Sequence, residues 1–139
     1  MQRVLDATEL FPSDMLPDML GPFLAGDTSE ELWLTYVQDG TPKGLCYARA
    51  EALTEGTWNM LAIAVHPDLQ GQGAGTALTQ ALEAQLKAKS QRILIVDTSG
   101  TEDFAATRAF YAGNNYTEEA RIRDFWAEGD DKVIFRKAL

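Results

Sequence analysis

The sequence predicts a mixed α/β fold with a partly antiparallel sheet, and three observations predict it. Leu32–Val37 and Gly44–Ala50 both read as strands, and the run Gln38-Asp39-Gly40-Thr41-Pro42 between them carries turn residues, so the pair forms an antiparallel hairpin. Trp58–Val65 is a third strand, most apolar at Leu61-Ala62-Ile63-Ala64-Val65. It is followed by a helical stripe and then by the short apolar strand Ile93–Val96, an order that predicts a parallel pair joined by a right-handed crossover. Finally, Tyr116–Arg123 and Val133–Lys137 flank the polar segment Asp124–Asp131, which predicts a closing hairpin around a loop.

The remaining elements follow from spacing. Ser13 stands as an N-cap ahead of Met15, Leu16, Met19, Leu20 and Phe23, whose period near 3.6 predicts a helix, bent where Pro17 and Pro22 interrupt it. From Gly75 to Ser90, Leu78, Leu82 and Leu86 recur every four residues with Ala81 and Ala88 beside them, giving one apolar stripe. Phe104–Ala112 is a further helix. No repeat, low-complexity tract or long linker interrupts the chain, so one domain over residues 1–139 is expected.

Composition narrows the function. The chain has 139 residues, of which 45% are hydrophobic and 24% charged, enough to bury a core without a disulfide or a metal. Cys46 is the only cysteine and His66 the only histidine, which excludes a disulfide scaffold and a zinc finger, and no metal site is expected. A net charge of -9 argues against nucleic acid, whose binders need a basic face for counterion release. The same charge suits a cationic substrate, or is simply a solvated acidic surface. No apolar run approaches the roughly 20 residues of a membrane span, and the N-terminus lacks a signal-peptide core, so a cytoplasmic location without membrane partners is the expectation.

The segment that carries chemistry lies between the third strand and the helix after it: His66-Pro67-Asp68-Leu69-Gln70-Gly71-Gln72-Gly73-Ala74-Gly75-Thr76. Glycines at alternate positions let the backbone approach a ligand, and amides at a helix start suit a pyrophosphate. A glycine-rich turn that only redirects the chain is the other reading of these residues. A Walker A loop fails because no lysine follows Gly75. A dinucleotide fingerprint fails because Thr76 stands where its third glycine belongs and the run starts late after the strand.

The run Val65–Gly75 resembles the acetyl-coenzyme A signature of the GCN5-related N-acetyltransferases (GNAT), with Gln70, Gly73 and Gly75 at the motif positions. Phe110-Tyr111 followed by Asn114-Asn115-Tyr116 is similar to a second segment of that family. The resemblance implies a GNAT-like acyl-CoA N-acyltransferase fold: a central, mostly antiparallel sheet with one parallel, splayed pair, flanked by helices. It implies acetyl-CoA as co-substrate, and a homodimer as the assembly to expect. By that resemblance Ile63, Ala64 and Val65 hold the pantetheine arm, and the amides of Gln70, Gly71, Gln72, Gly73, Ala74, Gly75 and Thr76 cradle the pyrophosphate. Tyr111 hydrogen-bonds the sulfur and protonates the leaving thiolate, and an amine attacks the thioester directly. Three positions depart from the pattern. Phe104 replaces an asparagine that contacts the coenzyme, leaving an apolar contact there. Asn115 replaces a glycine but tolerates the left-handed conformation. Val4 and Leu5 are all that suggests the family's first strand.

For the proton acceptor, Asp97 and Asp124 are the candidates, with Glu51 and Glu55 as further carboxylates near expected strand ends or loops. His66 is expected as a surface loop residue, Cys46 as core, and Trp58, Phe125 and Trp126 as aromatics that fill a core, with Trp126 in its polar loop the best candidate among the three to line an acceptor pocket. The expected reaction is acetyl transfer to a primary amine of a small molecule. The alternatives are a protein N-terminus or lysine as acceptor, and a non-catalytic module that binds or senses acyl-CoA.

Overall fold

The computed structural model describes residues 1–26 and 29–139. Its six strands are β1 (Glu31–Gln38), β2 (Thr41–Ala50), β3 (Thr57–Val65), β4 (Ile93–Ser99), β5 (Thr117–Ala127) and β6 (Asp130–Ala138), and they form one sheet in the order β1-β2-β3-β4-β6-β5. Every neighbouring pair is antiparallel except β3 and β4. The four α-helices are α1 (Gln2–Thr8), α2 (Leu16–Leu24), α3 (Ala74–Ala88) and α4 (Ala105–Gly113). The first hairpin and the parallel crossover through α3 match the expectation from sequence.

Side-chain alternation divides the core between the two faces of the sheet. On one face Leu78, Leu82 and Leu86 of α3 and Tyr111 of α4 pack against Cys46, Trp58, Met60, Leu94, Val96, Val133 and Phe135. On the other, Val4, Leu5 and Leu16 cover Trp33, Leu45, Tyr47, Ala62 and Ala64, with the Trp33 and Tyr47 rings stacked 4.2 Å apart.

Three expectations need correction. Val4 and Leu5 belong to a helix, not a strand: both are buried in α1, whose chain reverses at Glu9 with φ 51°. Seven residues are too few to show a helical period, which is why the sequence hid this element. Ser13 does not cap α2; it opens a 3-10 turn over Ser13–Met15 with no side-chain cap bond, and Pro17 then sits in the first turn of α2, where a missing N–H costs nothing. The segment Asp124–Asp131 is not an open loop, because β5 runs to Ala127 and β6 starts at Asp130. Aspartates replace ladder bonds there: Asp131 Oδ1 accepts from the Asp124 amide at 3.0 Å, and Asp124 Oδ1 accepts from the Gly129 amide at 2.9 Å. Between Ile122 and Ala127 the register shifts, so Arg123–Trp126 arch away from β6, with Asp124 at φ 54°.

Candidate active site

β3 and β4 are in register only from Thr57 to Asn59 against Ile93 to Ile95. Beyond that point β3 remains paired with β2 up to Val65 while β4 remains paired with β6 up to Ser99, so the two parallel strands fork. A bulge marks the fork: Tyr47 pairs Ala62 and Ala48 pairs Met60, leaving Leu61 without a partner and 53% exposed. The extra residue increases local twist and re-phases the strand, so that Met60 and Ile63 face the same core. The result is a stretch of β3, through Ile63, Ala64 and Val65, whose backbone edge toward β4 carries no ladder partner.

That open edge leads into the glycine segment. His66 Nδ1 accepts from the Asp68 amide at 3.3 Å and thereby caps the 3-10 turn Pro67–Leu69. The Gln70 side chain returns to donate to the Val65 carbonyl at 3.2 Å, and the Gln72 side chain donates to the Asp68 carbonyl at 2.8 Å. Both side chains therefore brace the loop from within. Gly71 and Gly73 have φ of 75° and 84°, a conformation that strains residues with a Cβ. Gly73 is the N-cap of α3 and no side chain caps that end, so the amides of Ala74, Gly75 and Thr76 have no intrahelical acceptor. Gly75 serves packing: a Cβ there would lie 3.2 Å from Phe110 Cε2, so the glycine lets α3 approach α4.

A cleft of about 580 Å³ joins these parts, lined by Ile63, Ala64 and Val65, by Leu69, Gln70, Gly71, Gly73, Gly75 and Thr76 but not Gln72 or Ala74 of the glycine segment, and by Ala106, Thr107, Phe110 and Tyr111 of α4. Arg108 fixes α4 to the end of β4 by donating to the carbonyls of Ser99 and Thr101 at 2.8 and 2.7 Å. Tyr111 is 4% exposed and packs among Phe110, Tyr116 and Phe135. Burial, and then the neighbouring Cys46, push its phenol above the ordinary tyrosine range, so it is neutral at physiological pH. Tyr116 is buried as well, but its hydroxyl is committed to Glu83 at 2.8 Å, a carboxylate that also holds Lys137 at 2.8 Å.

Phe104 lies outside the residues lining the cleft; it is 45% exposed, at the junction of a 3-10 turn and α4. The thiol of Cys46 is fully buried and pushed up to about 12 by desolvation. Trp58 is a core residue whose indole donates to Gln91 Oε1 at 2.9 Å. Glu55 contributes only its carbonyl, which accepts from the Arg92 guanidinium. Asp124 holds the β5–β6 turn as described, and Trp126, in the arch, donates to the Thr98 carbonyl at 3.3 Å.

Asp97 lies on β4 two residues past the last paired position, since that strand continues to Ser99. Sequence reasoning missed its neighbour. Asn59 is 6% exposed and donates from Nδ2 to Glu51 Oε1 at 2.9 Å and to Asp97 Oδ2 at 3.4 Å. Lys132 closes the cluster with an ion pair to Asp97 Oδ2 at 3.0 Å while lying over the Phe125 ring at 4.5 Å. The signal was an asparagine, a residue depleted in strands, within an otherwise apolar run.

A six-stranded mixed sheet that forks at its parallel pair, with an uncapped, glycine-rich helix start beyond the fork, defines an acyltransferase class of fold. The family model of the acetyltransferase (GNAT) family matches residues 3–116, and the chain belongs to that family. A protein from Desulfovibrio desulfuricans assigned to the GNAT family has 28% identity and a TM-score of 0.90, covering 99% of this chain and 89% of its own. The Escherichia coli ribosomal-protein-S18-alanine N-acetyltransferase superposes with a TM-score of 0.76 at 20% identity, covering 99% of this chain and 84% of that one. An aminoglycoside 6′-N-acetyltransferase in complex with coenzyme A gives 0.79 at 15% identity, over 99% and 87%. The latter two share the fold. Comparison with curated proteins finds no match.

Proposed function

We propose that this protein transfers the acetyl group of acetyl-CoA to a primary amine of a small molecule. The observation that carries the proposal is the fork: the open edge of β3 at Ile63–Val65 runs directly into the unpartnered amides at the start of α3. An extended pantetheine arm has two amides that can add to such an edge as a strand would, and the pyrophosphate then meets Gly71–Thr76 at the positive end of the helix dipole. The arm directs the thioester toward the apex of the fork, with Tyr111 lining the same cleft.

The chemistry needs no covalent enzyme intermediate. The acceptor ammonium first gives up a proton, and the free amine attacks the thioester carbonyl. The C–N bond forms, the C–S bond breaks, and the departing sulfur takes a proton from the Tyr111 hydroxyl, which solvent then restores. The net reaction converts an ammonium and a thioester into an amide, a thiol and one proton. Asp97 takes the proton of the amine, a reading supported by its position on β4 two residues past the last pairing with β3. The protein contributes orientation of two reactants and a proton donor at the leaving sulfur.

The test is calorimetric titration with acetyl-CoA and with coenzyme A, followed by a thiol-release assay against a panel of amines. Tight binding with turnover is the expected result. Binding without turnover on every amine identifies a binding or sensing module instead, and absence of binding overturns the assignment of Gly71–Thr76.

A further inference from the structure

A second cavity, of about 550 Å³, opens beside the turn that joins β2 to β3, and Glu30, Arg49, Glu51, Trp58, Asn59 and Leu61 are among the residues that line it. Alternation turns Asn59 to the sheet face away from α3, because Trp58 and Met60, its neighbours in β3, both enter the core beneath that helix. On β4, Leu94 and Val96 enter that same core, so Asp97 shares the face of Asn59.

Two buried atoms have no hydrogen-bond partner among the described residues: Oδ1 of Asn59, which lines the cavity, and Oδ1 of Asp97, which adjoins Asn59 but lies outside the lining. The orientation of the Asn59 amide is fixed by its surroundings, since a nitrogen must face the two carboxylates of Glu51 and Asp97 and the carbonyl oxygen must therefore point away. Both orphan atoms are acceptors, so what completes the site is a donor. Lys132 does not fill that role, because its ammonium is held at Asp97 Oδ2 beneath the rings of Phe125 and Trp126. The cavity is also electronegative. Arg49 leans to Glu31 at 3.7 Å, and among the described residues neither Glu30 nor Glu51 has a cationic partner.

Building on the acetyl-transfer assignment above, we propose that Asn59, Asp97 and Glu51 form the binding site for the acceptor's ammonium group, and that the acceptor is a small alkyl diamine whose second cation meets Glu30. An ammonium supplies three donors for the two orphan oxygens and the Glu51 carboxylate. The place fits the reaction. Asn59 is the last β3 residue before the fork and lies two positions from the Leu61 bulge, roughly 7 Å along the strand, so an amine held there faces the thioester end of an arm laid on Ile63–Val65. The two reactants then enter from opposite faces of the sheet and meet at the fork.

The test uses 1,4-diaminobutane, butylamine and a short peptide with a free N-terminus. Each is titrated calorimetrically into the protein saturated with coenzyme A and, separately, assayed for thiol release with acetyl-CoA. The diamine is expected to bind about tenfold or more tightly than butylamine and to be favoured over the peptide. Asn59→Leu and the shape-conserving Asp97→Asn are expected to weaken diamine binding by about tenfold or more while leaving the coenzyme A titration unchanged. Glu30→Gln is expected to weaken the diamine more than butylamine. Equal binding of diamine and butylamine, preference for the peptide, or unaltered diamine binding in both Asn59→Leu and Asp97→Asn overturns the proposal; in the last case bound water satisfies the two oxygens. Diamine binding without thiol release leaves the ammonium site standing and removes the acetyl-transfer assignment, so the two failures are separable.

Discussion

The two faces of the forked sheet are built in different ways. On the side of α3 and α4, the cleft proposed for the coenzyme takes most of its wall from one contiguous stretch, Ile63–Thr76, completed by one helix carrying Phe110 and Tyr111. On the opposite side, the polar cluster of Glu51, Asn59, Asp97 and Lys132 draws on the turn after β2, on β3, on β4 and on β6, and apart from Glu51 and Asn59, eight residues apart, its members are distant in sequence. A site that recognises a common cofactor is encoded locally, in backbone conformation. A site that faces the variable reactant, as proposed for this cluster, is encoded by strand register, so single substitutions in three strands and one turn can retune it.

If the two sides are separable, changes to one should leave the other's readout intact. The largest effect is expected from Tyr111→Phe, which removes the proposed donor to sulfur and should lower kcat by about a hundredfold, the low end for a general acid, while calorimetry shows coenzyme A affinity unchanged. Equal rates in the two proteins would remove Tyr111 from the chemistry. Next, Gly73→Asp forces a side chain into φ 84° and sets a carboxylate against the pyrophosphate, and coenzyme A affinity should fall by about tenfold or more. The amine site should keep its affinity in that variant, which sharpens the comparison. Gly75→Val drives a branched side chain into Phe110 and should cost about 1–3 kcal/mol of stability by denaturant unfolding, through packing of α3 on α4.

Smaller effects belong to the β5–β6 arch. Asp124→Ala removes the acceptor of the Gly129 amide and should cost about 1 kcal/mol, read as a lowered urea midpoint with coenzyme A binding retained. The smallest effect within the ordinary working range is on alkaline stability. The folded-state thiol of Cys46 is raised from 9.0 to about 12, so above pH 9 the unfolded chain releases its proton first and holds fewer protons than the native one. Its contribution to stability is therefore complete below pH 9 and is lost as pH rises toward 12, with the buried Tyr111 and Tyr116 phenols, also raised, acting in the same sense. Thermal unfolding measured from pH 7 to 10.5 should show a flat Tm followed by a decline above pH 9.

The same contrast explains what could be read from sequence. The hairpin of β1 and β2, the crossover through α3 and the glycine segment are local patterns of alternation, period and turn residues, and they were legible. The positions of Val4 and Leu5 in a helix were not, because α1 offers only two turns and no capping side chain to announce it. Asp124–Asp131 reads as a loop because Asp and Gly depress strand propensity, while the structure uses the aspartate side chains as substitutes for ladder bonds. Asp97 could be named as a carboxylate of interest, but its partners could not, since Asn59 and Lys132 reach it only through the registers of β3 with β4 and of β4 with β6.

The most direct test of the central claim is a calorimetric titration of acetyl-CoA into the wild-type protein and into Gly73→Asp, with thiol release followed on 1,4-diaminobutane. Saturable one-site binding in the wild type, weakened by about tenfold or more in the variant and accompanied by wild-type turnover, is the predicted result. Equal affinity in the two proteins, or no binding in either, would contradict the claim that the fork and the glycine-rich helix start form an acetyl-CoA site.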